Sequence, residues 1–319
     1  MTAKKVSGRF KYLLVLFFCC GSVAADVAEI SSPAPAPTAL PTILNDGIRA
    51  EVSSPQAANG SIVVVSVFLP EKLRGDKVSG TLSGVGEEIK FPFFPVPERG
   101  EGSYDAILGI PYASKPGPAK IEVVVKVKGD ADRMLLLPIT VQDGNYPSEQ
   151  LSVSQRYIEP SKQELKRILS DKKEVGAIYN VVTRRKQWSG PFVLPIKSEI
   201  TSPFGKKRVF NGQLNSFHGG LDLKAPEGTP IYAPAGGKVV LAKDLFFSGN
   251  TVLIDHGYGV FTVYAHMSRI KVKKGRFVER GTLLGLSGKT GRVSGPHLHW
   301  QAVIHKEKVD PLGLTTLLR

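Results

Sequence analysis

Between Ile43 and Val141 the apolar residues come in short runs, many alternating with polar ones, and Gly, Pro or Asp breaks each run. Period-two stretches bounded by turn residues predict strands over Ile62–Leu69, Val78–Ser83, Ile89–Phe94, Tyr104–Ile110, Lys120–Val127 and Arg133–Val141, with Ile48–Val52 as a further one. Short strands at this spacing, with no helical period between them, predict a β-sandwich-like accessory domain at 43–145. That segment holds no histidine and no catalytic cluster, and is read as a spacer or packing module.

The pattern then changes. Pro160-Ser161-Lys162-Gln163-Glu164 carries Ser at a helix cap and Glu three residues on, a capping box. It predicts a helix to about Val175 with Leu165, Ile168 and Leu169 on one packing face, inside a helical connector at 146–191. Trp188-Ser189-Gly190-Pro191-Phe192 ends any helix. From Lys197 to about Leu314 the pattern is β again, with strands over Gly237–Ala242, Thr251–Asp255, Phe261–Ala265, Leu283–Leu286 and Leu298–Ile304. The chain as a whole reads as mostly β, its last domain (192–319) an antiparallel β fold.

The N-terminus reads as an address. Lys4, Lys5, Arg9 and Lys11 precede the apolar run Tyr12–Cys20, and Ser22-Val23-Ala24 supplies a small-x-small cleavage signal, giving a signal peptide at 1–25. The run is short for a membrane span, so no stable span is expected after cleavage. Residues 26–42 follow as a Pro/Ala-rich tether. The expectation is export to the periplasm or cell envelope, or secretion. Cys19 and Cys20 leave with the leader, so the mature chain has neither disulfide nor thiolate, and any metal must be held by His and carboxylate.

Removing the leader, with its four basic and no acidic residues, lowers the net charge from +14 to +10. A basic exported protein suits an anionic surface such as peptidoglycan or lipopolysaccharide. Nucleic acid is excluded as a partner by export and by the lack of any aromatic-interleaved basic motif.

Four of the six histidines and one aspartate fall in three short motifs of the last domain: His218-Gly219-Gly220-Leu221-Asp222, Tyr264-Ala265-His266 and His297-Leu298-His299. A hydrolytic zinc site wants three protein ligands and one open position, and nearby imidazoles can move protons. In a strand, residues two apart face one side, so His297 and His299 can share a site. Gly219-Gly220 allows a bend that brings His218 and Asp222 together. Spacing leaves open which of the five would bind metal, and does not bring His266 to them. Gly288-Lys289-Thr290 is not a phosphate loop, because Leu283 stands where that motif needs glycine. His256 and His305 lack a partner motif and read as structural or exposed.

Ser202-Pro203-Phe204-Gly205, His218–Asp222, Ala233–Val239, Gly249-Asn250-Thr251-Val252, Asp255-His256-Gly257, Tyr264-Ala265-His266, Gly281–Gly285 and Gly291–Trp300 occur in this order. Together they resemble the LytM/lysostaphin family of zinc peptidoglycan endopeptidases, whose peptidase domain is a β fold of the duplicated-hybrid-motif type. The resemblance covers roughly Phe192 to Asp310. It implies one zinc ion on His218, Asp222 and His299, with His266 and His297 as catalytic histidines, and a peptide bond of a peptidoglycan stem or cross-bridge as substrate. Asn211 matches a position that reaches the zinc in latent relatives, although a turn asparagine before Gly212 is the preferred reading here. The alternative function is a non-catalytic member that binds wall or activates an amidase. Shielding of the groove by the sandwich domain or the connector helix is a further expectation.

Overall fold

The structure is a computed structural model that describes residues 42–43, 46–75, 77–212 and 214–317. The expected leader (1–25), with Cys19 and Cys20, and nearly all of the expected tether lie outside the described residues, which themselves fall in one compact unit. The fold is mostly β, with two α-helices among the described residues, and no described helix is long and apolar enough to cross a membrane.

The N-terminal half forms two five-stranded sheets. One runs in the order Thr42–Ile43, Arg49–Val52, Ile62–Phe68, Ser103–Gly109, Phe94–Pro95; the other Gln56–Ala58, Arg133–Gln142, Gly117–Lys126, Lys77–Ser83, Ile89–Pro92. Alternation does the folding here. Along Arg133–Gln142 every second residue (Leu135, Leu137, Ile139, Val141) is buried and its neighbours are exposed. These inward residues meet Val63, Val65, Val67, Ala106 and Leu108 of the facing sheet in one core, as the period-two pattern predicts. Gln56–Ala58, too short to read from sequence, pairs parallel to Thr140–Gln142 at the edge.

The connector departs from expectation in two ways. Its helix runs Lys162–Tyr179, with the Ser161–Glu164 capping box formed, but Leu165 and Leu169 stay exposed. Contact comes instead from the last turn, where Val175, Ile178 and Tyr179 pack against Leu241, Leu253 and Phe261. Polar contacts tie down the turns before it: Arg167 pairs with Asp244 at 2.6 Å, and Asp171 accepts from the Phe246 amide at 2.8 Å. The connector also contains a strand, Ser148–Leu151, that lies parallel to Lys207–Phe210.

The C-terminal half centres on a larger sheet ordered Ile200–Ser202, Leu221–Lys224, His297–Ile304, Val260–Met267, Gly249–Gly257, Gly237–Leu245, Phe277–Val278. Neighbouring strands in this order pair antiparallel. Trp188 and Phe192, expected only to break the connector, are buried with Ile62, Phe94 and Ile107 of the sandwich and Val260, Ala302 and Val309 of the large sheet. The two halves therefore share a core. Gly109 permits the approach, since a Cβ there would stand 2.6 Å from Val309 Cγ1.

Candidate metal centre

Three adjacent strands of the large sheet carry the site. Asp222 on Leu221–Lys224 lies directly opposite His299 on His297–Ile304, and His299 pairs in turn with Ala265 on the third strand. His297 projects to the same side as His299, two residues away. His218 precedes the first strand, and Gly219-Gly220 turns it back over Asp222.

His266 reaches the site through a defect in the ladder. Asn250 pairs with Met267 and Val252 with Tyr264, so Ala265 and His266 together face the single residue Thr251. His266 sits in this bulge at φ +62°, a left-handed conformation unusual for a side-chain-bearing residue. The bulge turns its ring to within 5.0 Å of His297 and 5.9 Å of His299, centroid to centroid. Sequence spacing could not announce this, because strict alternation would send His266 to the opposite face from Ala265.

Backbone carbonyls fix the ring tautomers. Nδ1 of His218 lies 2.8 Å from Pro203 O, Nδ1 of His266 2.9 Å from Thr290 O, and Nδ1 of His297 2.9 Å from Gly295 O. A carbonyl only accepts, so each Nδ1 carries a hydrogen, and Nε2 is the nitrogen left to face the site. His218 Nε2 faces Asp222 Oδ1 at 2.9 Å and His299 Nδ1 at 3.0 Å, and the latter two are 2.8 Å apart. A proton on His299 Nδ1 can serve either contact that His299 makes, but the His218 Nε2–Asp222 Oδ1 contact needs a cation of its own, a proton on Nε2 or a metal ion. A cation between the three atoms resolves all three contacts, so this N, O, N donor set fits a metal ion.

Electrostatics agree. Burial raises the pKa of the Asp222 carboxyl, but hydrogen bonding with His218 and His299 outweighs it and holds the group well below the usual carboxylate range. Arg208 binds the other oxygen, Oδ2, at 2.9 Å, leaving Oδ1 directed at the imidazoles. Burial lowers His299, and burial with the neighbouring His299 and His297 rings lowers His266 to about 3. Both stay neutral at physiological pH, as ligation or proton acceptance requires.

An open groove of about 530 Å³ runs over these residues. Its walls include groups that no sequence motif singled out: Glu149 of the connector strand, Arg208, Arg292 and Lys308. Arg208 bridges Glu149 at 2.7 Å and Asp222, so the connector strand is wired to the candidate metal centre. Asn211 does not reach the site. It takes φ +51° in the turn before Gly212, and its amide both accepts from Val153 N and donates to Val153 O at 2.9 Å. His256 and His305 are structural as well: His256 is fully buried between Gly236 O and Thr262 Oγ1, and His305 reaches Ile107 O of the sandwich.

Residues 216–311 match peptidase family M23. The chain is 45% identical over 95 residues to the peptidoglycan DD-endopeptidase ShyA of Vibrio cholerae, covering 30% of this chain and 22% of that protein. It is 38% identical over 116 residues to ShyB of the same organism, also named a peptidoglycan DD-endopeptidase, covering 36% and 27%. The matched region thus spans about a quarter of these relatives' length. A crystal structure from Pseudomonas aeruginosa, described as an M23 peptidase, aligns over 81% of this chain and 94% of that one at 30% identity, with a TM-score of 0.61. That likeness extends well beyond the histidine-bearing region, and with the site described above it shows that the chain belongs to peptidase family M23.

Proposed function

We propose that this protein is an exported zinc endopeptidase that hydrolyses peptide bonds in peptidoglycan stem peptides or cross-bridges. The observation that carries the reading is the triangle of His218 Nε2, Asp222 Oδ1 and His299 Nδ1, flanked by two further imidazoles in one open groove. The two Vibrio relatives, named for peptidoglycan endopeptidase activity, support the substrate class, and the leader-like N-terminus supports export.

In this reading His218, Asp222 and His299 hold one zinc ion, which when bound supplies a nucleophile at neutral pH and polarises a carbonyl. The chain's own residues do the rest. Pro203 O and Arg208 orient two of the three ligands, keeping His218 Nε2 and Asp222 Oδ1 aimed inward. His297, its Nδ1–H held by Gly295 O, takes and returns a proton at Nε2 beside the scissile amide. His266, lowered to about 3, is too weak a base to keep a proton, and serves by accepting a hydrogen bond at Nε2.

Purified sacculi incubated with the protein should release new amino termini, lose that release on chelation and regain it with zinc. One zinc per chain with no release of amino termini would instead favour the wall-binding or amidase-activating alternative. Intramolecular regulation belongs to the same proposal, since Glu149, Leu151, Ser152 and Val153 of the connector wall the groove. A Glu149→Gln variant with unchanged turnover of sacculi would count against it.

A further inference from the structure

Arg292 sits in the groove wall without a carboxylate. Its guanidinium carbon lies 4.3 Å from the Phe210 ring centroid and 4.6 Å from that of Phe247, so two aromatic rings grip it. Its backbone amide donates to Phe247 O at 2.7 Å, and Tyr157 of the connector donates to Gly291 O at 2.7 Å, which pins the loop from both sides. Among the described residues no acidic group offsets its charge, and burial with the nearby Arg208 lowers its pKa.

Its cationic neighbours differ. Arg208 is already committed to Glu149 and Asp222, and Lys224 to Glu199. Lys308 has no carboxylate partner among the described residues; it lies against Gly219 with Nζ 5.8 Å from the Phe217 ring. The groove thus carries four cationic side chains, Arg208, Lys224, Arg292 and Lys308, against two carboxylates, Glu149 and Asp222. A guanidinium packed against two aromatic rings presents a fork of N–H donors with little freedom, and the shape that matches such a fork is a carboxylate.

We infer that Arg292, supported by Lys308, forms a carboxylate-binding subsite of the groove that selects a substrate peptide bearing a free carboxylate next to the bond to be cut. The inference rests on the peptidoglycan reading above for the identity of the peptide.

The test is calorimetric binding to chelator-treated protein, so that nothing turns over. The probes are a peptidoglycan stem peptide and a series in which each of its carboxylates is amidated in turn. One amidation should weaken binding to the wild-type chain by roughly ten- to a hundredfold, the range for a charge-assisted bidentate pair. In Arg292→Gln the acid should bind as weakly as that amide, and Arg292→Lys, which keeps charge and loses the fork, should fall between. The subsite is overturned if every amide binds the wild type within about twofold of the acid, if the acid shows no saturable binding, or if Arg292→Gln weakens acid and amides alike. Cleavage of sacculi without acid–amide discrimination would sink the subsite alone; discrimination without cleavage would sink the hydrolase reading alone.

Discussion

Gly219 and Gly220 stand side by side in the first histidine motif, yet the structure gives them very different tolerance. A Cβ at Gly220 would lie 2.5 Å from Trp300 O and 2.8 Å from both Cε1 and Nε2 of His299. The carbonyl belongs to the central strand and the ring to the candidate metal centre, so neither can yield without moving the site. At Gly219 the nearest atoms are Lys308 Cδ at 2.7 Å, Lys308 Nζ at 3.4 Å and Gln301 Oε1 at 3.5 Å, all toward the ends of flexible side chains. Neither glycine has a positive φ, so alanine brings no backbone strain at either position and the contrast is purely steric. Overpacking against fixed atoms costs roughly 1–3 kcal/mol, whereas a swinging lysine costs about 0.5 kcal/mol or less. Displacing His299 by several tenths of an ångström should also weaken zinc binding by roughly ten- to a hundredfold, the scale seen when ligand orientation is disturbed. Urea unfolding of the zinc-free protein gives the first quantity and competitive chelator titration the second. Gly220→Ala should lose both stability and zinc affinity, and Gly219→Ala neither. Equal behaviour of the two variants, or full zinc affinity in Gly220→Ala, would refute the reasoning.

Other expectations follow from single contacts. His256 is fully buried and lowered to about 4, mainly by desolvation, against 6.5 in an unfolded chain. Its contribution is therefore complete above about pH 6.5 and is lost as pH falls toward 4, reaching roughly 2.5 kcal/mol by pH 4.5. His256→Gln should accordingly show a shallower loss of unfolding free energy between pH 7.5 and 4.5 than the wild type, and parallel slopes would remove the argument. Tyr112 of the sandwich stacks on Phe217 at 3.9 Å and 3°, and donates to Gly205 O at 2.9 Å, next to the His218 and Pro203 segments. Tyr112→Ala should cost roughly 2 kcal/mol and weaken zinc binding too; a stability loss with unchanged zinc affinity would show that the sandwich does not brace the centre. Arg208→Met removes the Asp222 Oδ2 partner at 2.9 Å and should lower zinc affinity by about tenfold, read by the same chelator titration. Unaltered affinity would mean that Asp222 is held without it.

Much of this architecture is legible in the residues. Alternation along Arg133–Gln142 and the Ser161–Glu164 cap are local signals, and the structure realises both. His297 and His299 share a face because strands repeat every two residues, which needs no knowledge of the partner strand. What sequence could not carry is non-local or exceptional. The Ser148–Leu151 strand is too short and polar to stand out, and it exists because Lys207–Phe210 offers it an edge. The apolar stripe Leu165–Leu169 pointed to a packing face, but the helix is anchored by its last turn and by charge pairs instead. His266 enters the site through a bulge at φ +62°, a break in the very periodicity that sequence reasoning relies on. Arg208 and Lys308 sit in no motif, Arg292 lies in the Gly291–Trp300 run without a role assigned to it, and only folding brings the three to one groove.

The division of labour among the five site residues is the central claim, and zinc content of two single variants tests it most directly. Metal measured by atomic spectrometry on folded, dialysed protein should be one zinc per chain for the wild type and for His297→Ala, and none for His299→Ala, with release of amino termini from sacculi lost in both variants. Retention of zinc by His299→Ala, or its loss from His297→Ala, would contradict the account.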